Sequence, residues 1–190
     1  MTMTDATEQM ELTRREREAR REIRVIGDPV LRERAREVTE FDRPLRKLAK
    51  RMIRIMHDAP GVGLAAPQVG VVQRMLVYDV DEDPKVLVNP VLDEFSEEVL
   101  EADEGCLSLP GVTMPVERHA SLRVRGFDAS GEPLDYRAEG MEARVIQHEY
   151  DHLDGVLIVD RTTRSARAAA LRELREREDE GALGAVGGGL

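Results

Sequence analysis

"MEARVIQHEYDHL", residues 141–153, is the stretch whose reading decides the fold. Met141, Val145, His148 and His152 recur at helical spacing, which puts them on one face of a helix. Residues four apart differ by about 40° in azimuth, so the two imidazoles project together, one turn apart. Two ring nitrogens, each ~2.0–2.1 Å from an ion, can then share one metal. Glu149 lies about 100° around the helix from His148, outside the ligand plane but within reach of a water beside the ion. This is the H-E-x-x-H arrangement of two ligands and one general base. The plain alternative is a solvated turn with two ion-paired histidines. Met141 and Val145 share the histidine face and argue against it, because they turn the rings toward the core, where an imidazole needs a partner.

Outward from this helix the pattern changes. Upstream, from 74 to 138, short β-rich runs follow one another: "RMLVYDV", "KVLVNPVL", "VTMPVE", "ASLRVRGFD" and "PLDYRAE". Pro and Gly punctuate them, and "DASGE" (128–132) is a hairpin turn signal. Further upstream, "DRPLRKLAKRMIRIMHD" (42–58) has Asp42 as N-cap, Pro44 in the first turn, and an apolar stripe of Leu45, Leu48, Met52, Ile55 and Met56. That is an amphipathic helix, ended by "APG". Downstream, "GVLIVD" reads as a short strand, and 163–180 as a charged helix. Strands clustered between helices, without β–α alternation, point to an α+β fold. Residues 1–21 form a polar extension, partly helical at most and frayed. "GALGAVGGGL" (181–190) is a flexible tail.

The chain of 190 residues is long enough for one domain with a real core. Its net charge of −10 argues against a nucleic-acid binder, which needs a positive face. Residues 81–104 hold ten acids and one lysine and read as a solvated edge with exposed strand faces. No apolar run reaches the ~18 residues of a membrane span. The start lacks the apolar segment of a secretory signal. The single cysteine excludes an intrachain disulfide and suits a reducing cytoplasm.

The third ligand is open at this level. His57 ends the 42–58 helix, where a histidine suits the dipole, and His119 lies at a loop-to-strand border; both read as structural. Cys106, in "EGCLSLP", follows Gly105 and opens a short apolar run, which fits a thiol held at a strand edge. A Cys/His/His set would leave one position open for water and would accept Fe²⁺ as well as Zn²⁺. The alternative is a peptidase that takes a downstream acid such as Asp160, since no histidine follows His152. "GVGLAAPQVG" (61–70) is not a phosphate loop, for no Lys-Ser/Thr follows. Its glycines suggest a sharp turn where backbone nears a ligand. Gln68 is then either a backbone-capping amide or a donor to an oxyanion beside the metal.

Together, Gly61–Gln68, Glu104–Ser108 and Gln147–His152 resemble the peptide deformylases, whose motifs G-x-G-x-A-A-x-Q, E-G-C-L-S and Q-H-E-x-D-H stand here in order and without departure. The resemblance covers about residues 22–162. It implies a central H-E-x-x-H helix surrounded by antiparallel and mixed sheets. It also implies removal of the formyl group from the N-terminal formyl-methionine of nascent chains, releasing formate. By residue matching, Cys106, His148 and His152 would bind the metal and Glu149 would be the acid/base. Gln68 and the Leu107 backbone N–H would hold the formyl oxygen. Fe²⁺ is the implied ion in the cell, with Zn²⁺, Ni²⁺ or Co²⁺ as other occupants. Val62, Met141 and Val145 are the candidates for a methionine pocket, and Gly63 and Gly105 for backbone pairing with the extended peptide. Arg144 belongs either at the rim of that pocket or in a pair with a nearby acid. With the lone thiol, the acidic charge and the lack of a span, this gives a cytoplasmic enzyme acting on nascent formyl-Met peptides, with no membrane or specific nucleic-acid partner expected and the ribosome near its exit as a candidate contact. The helix at 163–180 nearly balances its arginines with acids, which argues against a grip on ribosomal RNA.

Overall fold

Asp42 opens α2 (Arg43–Asp58) as the sequence requires: its carboxylate accepts from the Leu45 N–H at 2.9 Å. Asp42→Ala removes that cap and is expected to cost about 1 kcal/mol, read as a lower urea midpoint with an unchanged slope. The computed structural model describes residues 3–179. In chain order, α1 (Met3–Glu22) precedes α2. Then come β1 (Gly63–Ala65), β2 (Met75–Tyr78), β3 (Lys85–Asp93), β4 (Val99–Cys106), β5 (Leu109–His119), β6 (Ser121–Phe127) and β7 (Pro133–Glu139). The chain ends with α3 (Gly140–Leu153) and α4 (Arg164–Asp179). All strand pairs are antiparallel, in a five-stranded sheet ordered β1-β2-β3-β6-β7 and a separate β4-β5 ribbon.

Alternation along β2 explains why all four of its residues are buried. Met75 and Val77 join Met52, Ile55 and Met56 of α2, while Leu76 and Tyr78 face Ala143, Val145 and Ile146 of α3. The sheet is thus covered by α2 on one face and α3 on the other, so the H-E-x-x-H helix lies inside the molecule. A third cluster joins Leu109, Val112, Met114 and Val116 of β5 to Leu157, Ile158, Ala170 and Leu174, seating α4 on the ribbon.

The "DASGE" turn forms as read. The Asp128 carboxylate accepts from the Ser130 and Glu132 N–H groups at 2.7 and 3.0 Å, and Gly131 takes φ +90°. Three expectations change. The extension is not frayed over its described part: α1 is helical, and Ala19 and Ile23 are buried beside α2 because a small and a branched side chain suffice to seal that contact. "GVLIVD" is not a strand; Ile158–Asp160 form a 3₁₀ turn, closed by the Asp160 carboxylate accepting from the Leu157 N–H at 2.9 Å. Gly155 must precede it: φ is +72°, and a Cβ there would stand 2.6 Å from the Arg32 carbonyl. Finally, Glu104 leaves the solvated acidic edge and is 5% exposed, for it faces inward from β4. The tail 181–190 lies outside the described residues. No helix of the described residues is long and apolar enough to cross a membrane.

Candidate metal centre

The ligand face of α3 is exposed at its start, Met141 at 62%, and buried from there on, with Val145 at 6%, His148 at 8% and His152 at 1%. The shared face therefore runs from the surface into the interior. The two rings meet edge to face, centroids 5.2 Å apart. Cys106, the last residue of β4, comes up to them: Sγ is 3.3 Å from His152 Nε2. Ligand atoms of Cys106, His148 and His152 lie within 4.8 Å of one another, and among the described residues this is the group that could hold a metal ion.

The donor set fits an ion. Sulfur at ~2.3 Å and nitrogen at ~2.0–2.1 Å from a tetrahedral centre stand roughly 3.5 Å apart, close to the Cys106–His152 spacing. His148 Nδ1 is held by Glu104 Oε2 at 3.0 Å, which turns Nε2 toward the sulfur. Burial opposes a charge on both rings. It holds His152 well below the usual imidazole range. His148 is instead raised well above that range, because the Cys106 sulfur and the Glu104 carboxylate outweigh its burial.

Glu104 is itself fixed by an arginine that sequence reading did not single out. Arg118, on β5, is 6% exposed and grips Glu104 with Nε and Nη2, each at 3.0 Å, while Nη1 reaches Asp151 at 2.7 Å. Asp151 in turn takes Arg161 at 2.6 and 3.0 Å. Burial works against the Glu104 charge, but the His148 and Arg118 hydrogen bonds hold its carboxyl down at about 2. Arg144 meets both of its expectations: it lines the cleft and gives Glu104 Oε1 a bond of 2.8 Å. The available signal was the acid two residues before the cysteine, in "EGC".

Glu149 is 4% exposed. Its Oε2 is buried and has no hydrogen-bond partner among the described residues. Burial pushes this carboxyl up to about 7, against the pull of the His148 charge. Gly63 makes room for it: a Cβ on that glycine would stand 2.9 Å from Glu149 Cγ and Cδ.

Gln68 caps the backbone as one of its readings expected. Its Oε1 accepts from the Ala65 N–H at 2.7 Å, capping the turn. Its Nε2 donates to Ser108 Oγ at 3.1 Å and lies 3.6 Å from Cys106 Sγ. The carbonyl is thereby committed to structure and the amide donor end turned toward the cluster. Gln68 and His152, each 1% exposed, sit behind the wall of a cleft of about 540 Å³. Cys106, His148 and Glu149 open into that cleft, and Val62, Gly63, Gly105, Leu107, Met141 and Val145 line it.

The rival ligands are occupied elsewhere. His57 Nε2 pairs with Asp79 at 2.8 Å, and His119 Nδ1 donates to the Ser96 carbonyl at 2.7 Å. Asp160 is held by Arg32 and the Leu157 N–H, so it is no third ligand.

Comparison with known proteins points one way. The profile of the family described as "Polypeptide deformylase" matches residues 20–168. A peptide deformylase of Acidothermus cellulolyticus is 53% identical over 158 residues, 83% of this chain and 87% of that protein. The crystal structure of peptide deformylase from Thermotoga maritima superposes with a TM-score of 0.73 at 50% identity, covering 74% of this chain and 96% of that one. That from Legionella pneumophila gives 0.80 at 39% identity, covering 84% and 96%.

Proposed function

The chain belongs to the polypeptide deformylase family, and from that premise we propose how its residues divide the work of a metal-dependent hydrolase that removes the N-formyl group from new polypeptides. Cys106, His148 and His152 hold one divalent ion. The proximity of these ligand atoms beside Glu149, in an open cleft, is the observation that carries the reading. When bound, the ion acidifies a water and draws charge from the formyl oxygen.

The rest falls to the chain. Glu149 takes a proton from water as the oxygen attacks the formyl carbon, and gives it to the amine as the C–N bond breaks. A buried carboxyl drawn up to about 7 can do both near neutral pH. The Gln68 amide and the Leu107 N–H flank Cys106 and meet the negative charge that develops on the formyl oxygen. Formate leaves, and the methionine keeps a free amino group. Val145 and the exposed Val62 and Met141 give the methionine side chain apolar contact, while the Gly63 and Gly105 backbone pairs with the extended peptide. The family resemblance implies Fe²⁺ as the ion in the cell; Zn²⁺, Ni²⁺ and Co²⁺ suit the same thiolate and imidazole donors. The enzyme works in the cytoplasm, on nascent chains near the ribosomal exit.

The test is anaerobic purification with metal analysis, followed by incubation with a formyl-Met tripeptide. Stoichiometric formate and an intact peptide chain are expected. Cleavage of internal peptide bonds would replace this reading with a peptidase.

A further inference from the structure

Arg20, in the last turn of α1, borders the same cleft as His148 and Glu149, together with Leu109 and Pro110. Most of α1 precedes the family-matched region, which begins at residue 20. That last turn is nevertheless firmly seated. Ala19 and Ile23 are buried in the α2 core, and Glu22 takes Arg51 and Arg54 of α2 at 2.9 and 2.7 Å. Just beyond it, the Arg24 N–H bonds the Gln68 carbonyl at 2.7 Å and the Ile26 N–H bonds the Ser108 carbonyl at 2.9 Å. The segment that follows α1 is therefore laced to the two segments that flank Cys106.

The charges around the cleft make Arg20 distinctive. Arg144, the other arginine on its lining, is committed to Glu104 and to the Val116 and Leu100 carbonyls. Asp103, Glu104 and Glu149 also line the cleft, but Glu104 is held by Arg118, Arg144 and His148. Arg20 is tied to Glu16, one turn back on its own helix, at 2.8 Å, with both side chains about 40% exposed. An exposed pair of this kind is weak and exchanges readily for another carboxylate. A guanidinium fork suits a carboxylate or two backbone carbonyls.

We propose that Arg20 is a specificity-determining residue that engages the peptide beyond its formyl-methionine and favours an acidic second or third residue. This deepens the deformylase reading and rests on it. Glu16 then acts as an internal competitor that the acidic peptide displaces.

The test compares formyl-Met-Ala-Asp, formyl-Met-Ala-Ala and formyl-Met-Ala-Lys amides, with formyl-Met-Asp-Ala amide for the second position. For Arg20→Ala, kcat/KM on the better acidic peptide is expected to fall about three- to five-fold, mostly through KM, with a smaller change on the neutral peptide and a gain on the lysine peptide. Arg20→Glu should invert the preference. Glu16→Ala should lower KM for the acidic peptide, which a merely structural role for Arg20 would not produce. An equal loss on all peptides in Arg20→Ala, or an unchanged acid-to-lysine ratio in all three variants, overturns the inference and leaves the deformylase reading intact. Failure of the wild-type enzyme to deformylate any of the peptides overturns the deformylase reading and this inference with it.

Discussion

Replacing Glu149 with alanine is expected to cut formate release about 10²–10⁴-fold while the purified protein keeps its metal. The separation follows from geometry. The Cys106, His148 and His152 ligand atoms already form a set, and the Glu149 carboxylate packs against Gly63 beside it. Glu104, the other carboxylate in contact with the ligand histidines, cannot take its part. Glu104 is locked by Arg118, Arg144 and His148 and is held at about 2, too acidic to accept a proton near neutrality. Gly63→Ala should act on the same carboxylate from the other side, with a smaller loss, because the added methyl forces Glu149 to shift without removing it. Metal analysis and formate release on one preparation check both. Full activity in Glu149→Ala would remove it from the mechanism.

Cys106→Ser should fail differently. Both metal content and turnover are expected to fall, each by at least about 100-fold, since even groups that only orient a ligand are worth ten- to a hundred-fold. A serine hydroxyl stays protonated where a thiol readily gives its proton to a metal, so the set loses its one anionic donor. The fold should survive, because Cys106 ends a strand that is paired along its length with β5. Metal per chain, turnover and the thermal midpoint read the three consequences separately. A serine variant with full metal and full rate would overturn the ligand set.

Helices and ligands were legible because their signals are local. Asp42, Pro44 and the stripe to Met56 announce α2 within one segment, and His148, Glu149 and His152 announce the centre within five residues. What escaped depends on distant partners. Arg118 meets residues 14 and 33 positions away, and nothing in "VERHASL" marks it for burial. β4 escaped as a strand because its residues from Val99 to Asp103 are exposed on both faces, so no alternation shows. "GVLIVD" had the composition of a strand, but Arg32 and the Asp160 side chain bend it into a turn. Along α1, two residues, Ala19 and Ile23, decide between fraying and docking, too few to show as a stripe. Cys106 could be placed as third ligand only by resemblance, since forty-odd residues separate it from the histidines and spacing alone left Asp160 open.

The Arg118 clamp has one more consequence. It joins β5 to Glu104 on β4 and to Asp151 on α3, and so ties the strand that carries the thiol to the helix that carries both imidazoles. Small metallodomains whose ligands meet only around the ion collapse when it is withdrawn. Here the walls are bolted to each other by the chain's own side chains. Stripping the ion with a chelator is therefore expected to leave the fold standing, and a second ion to load onto the same protein.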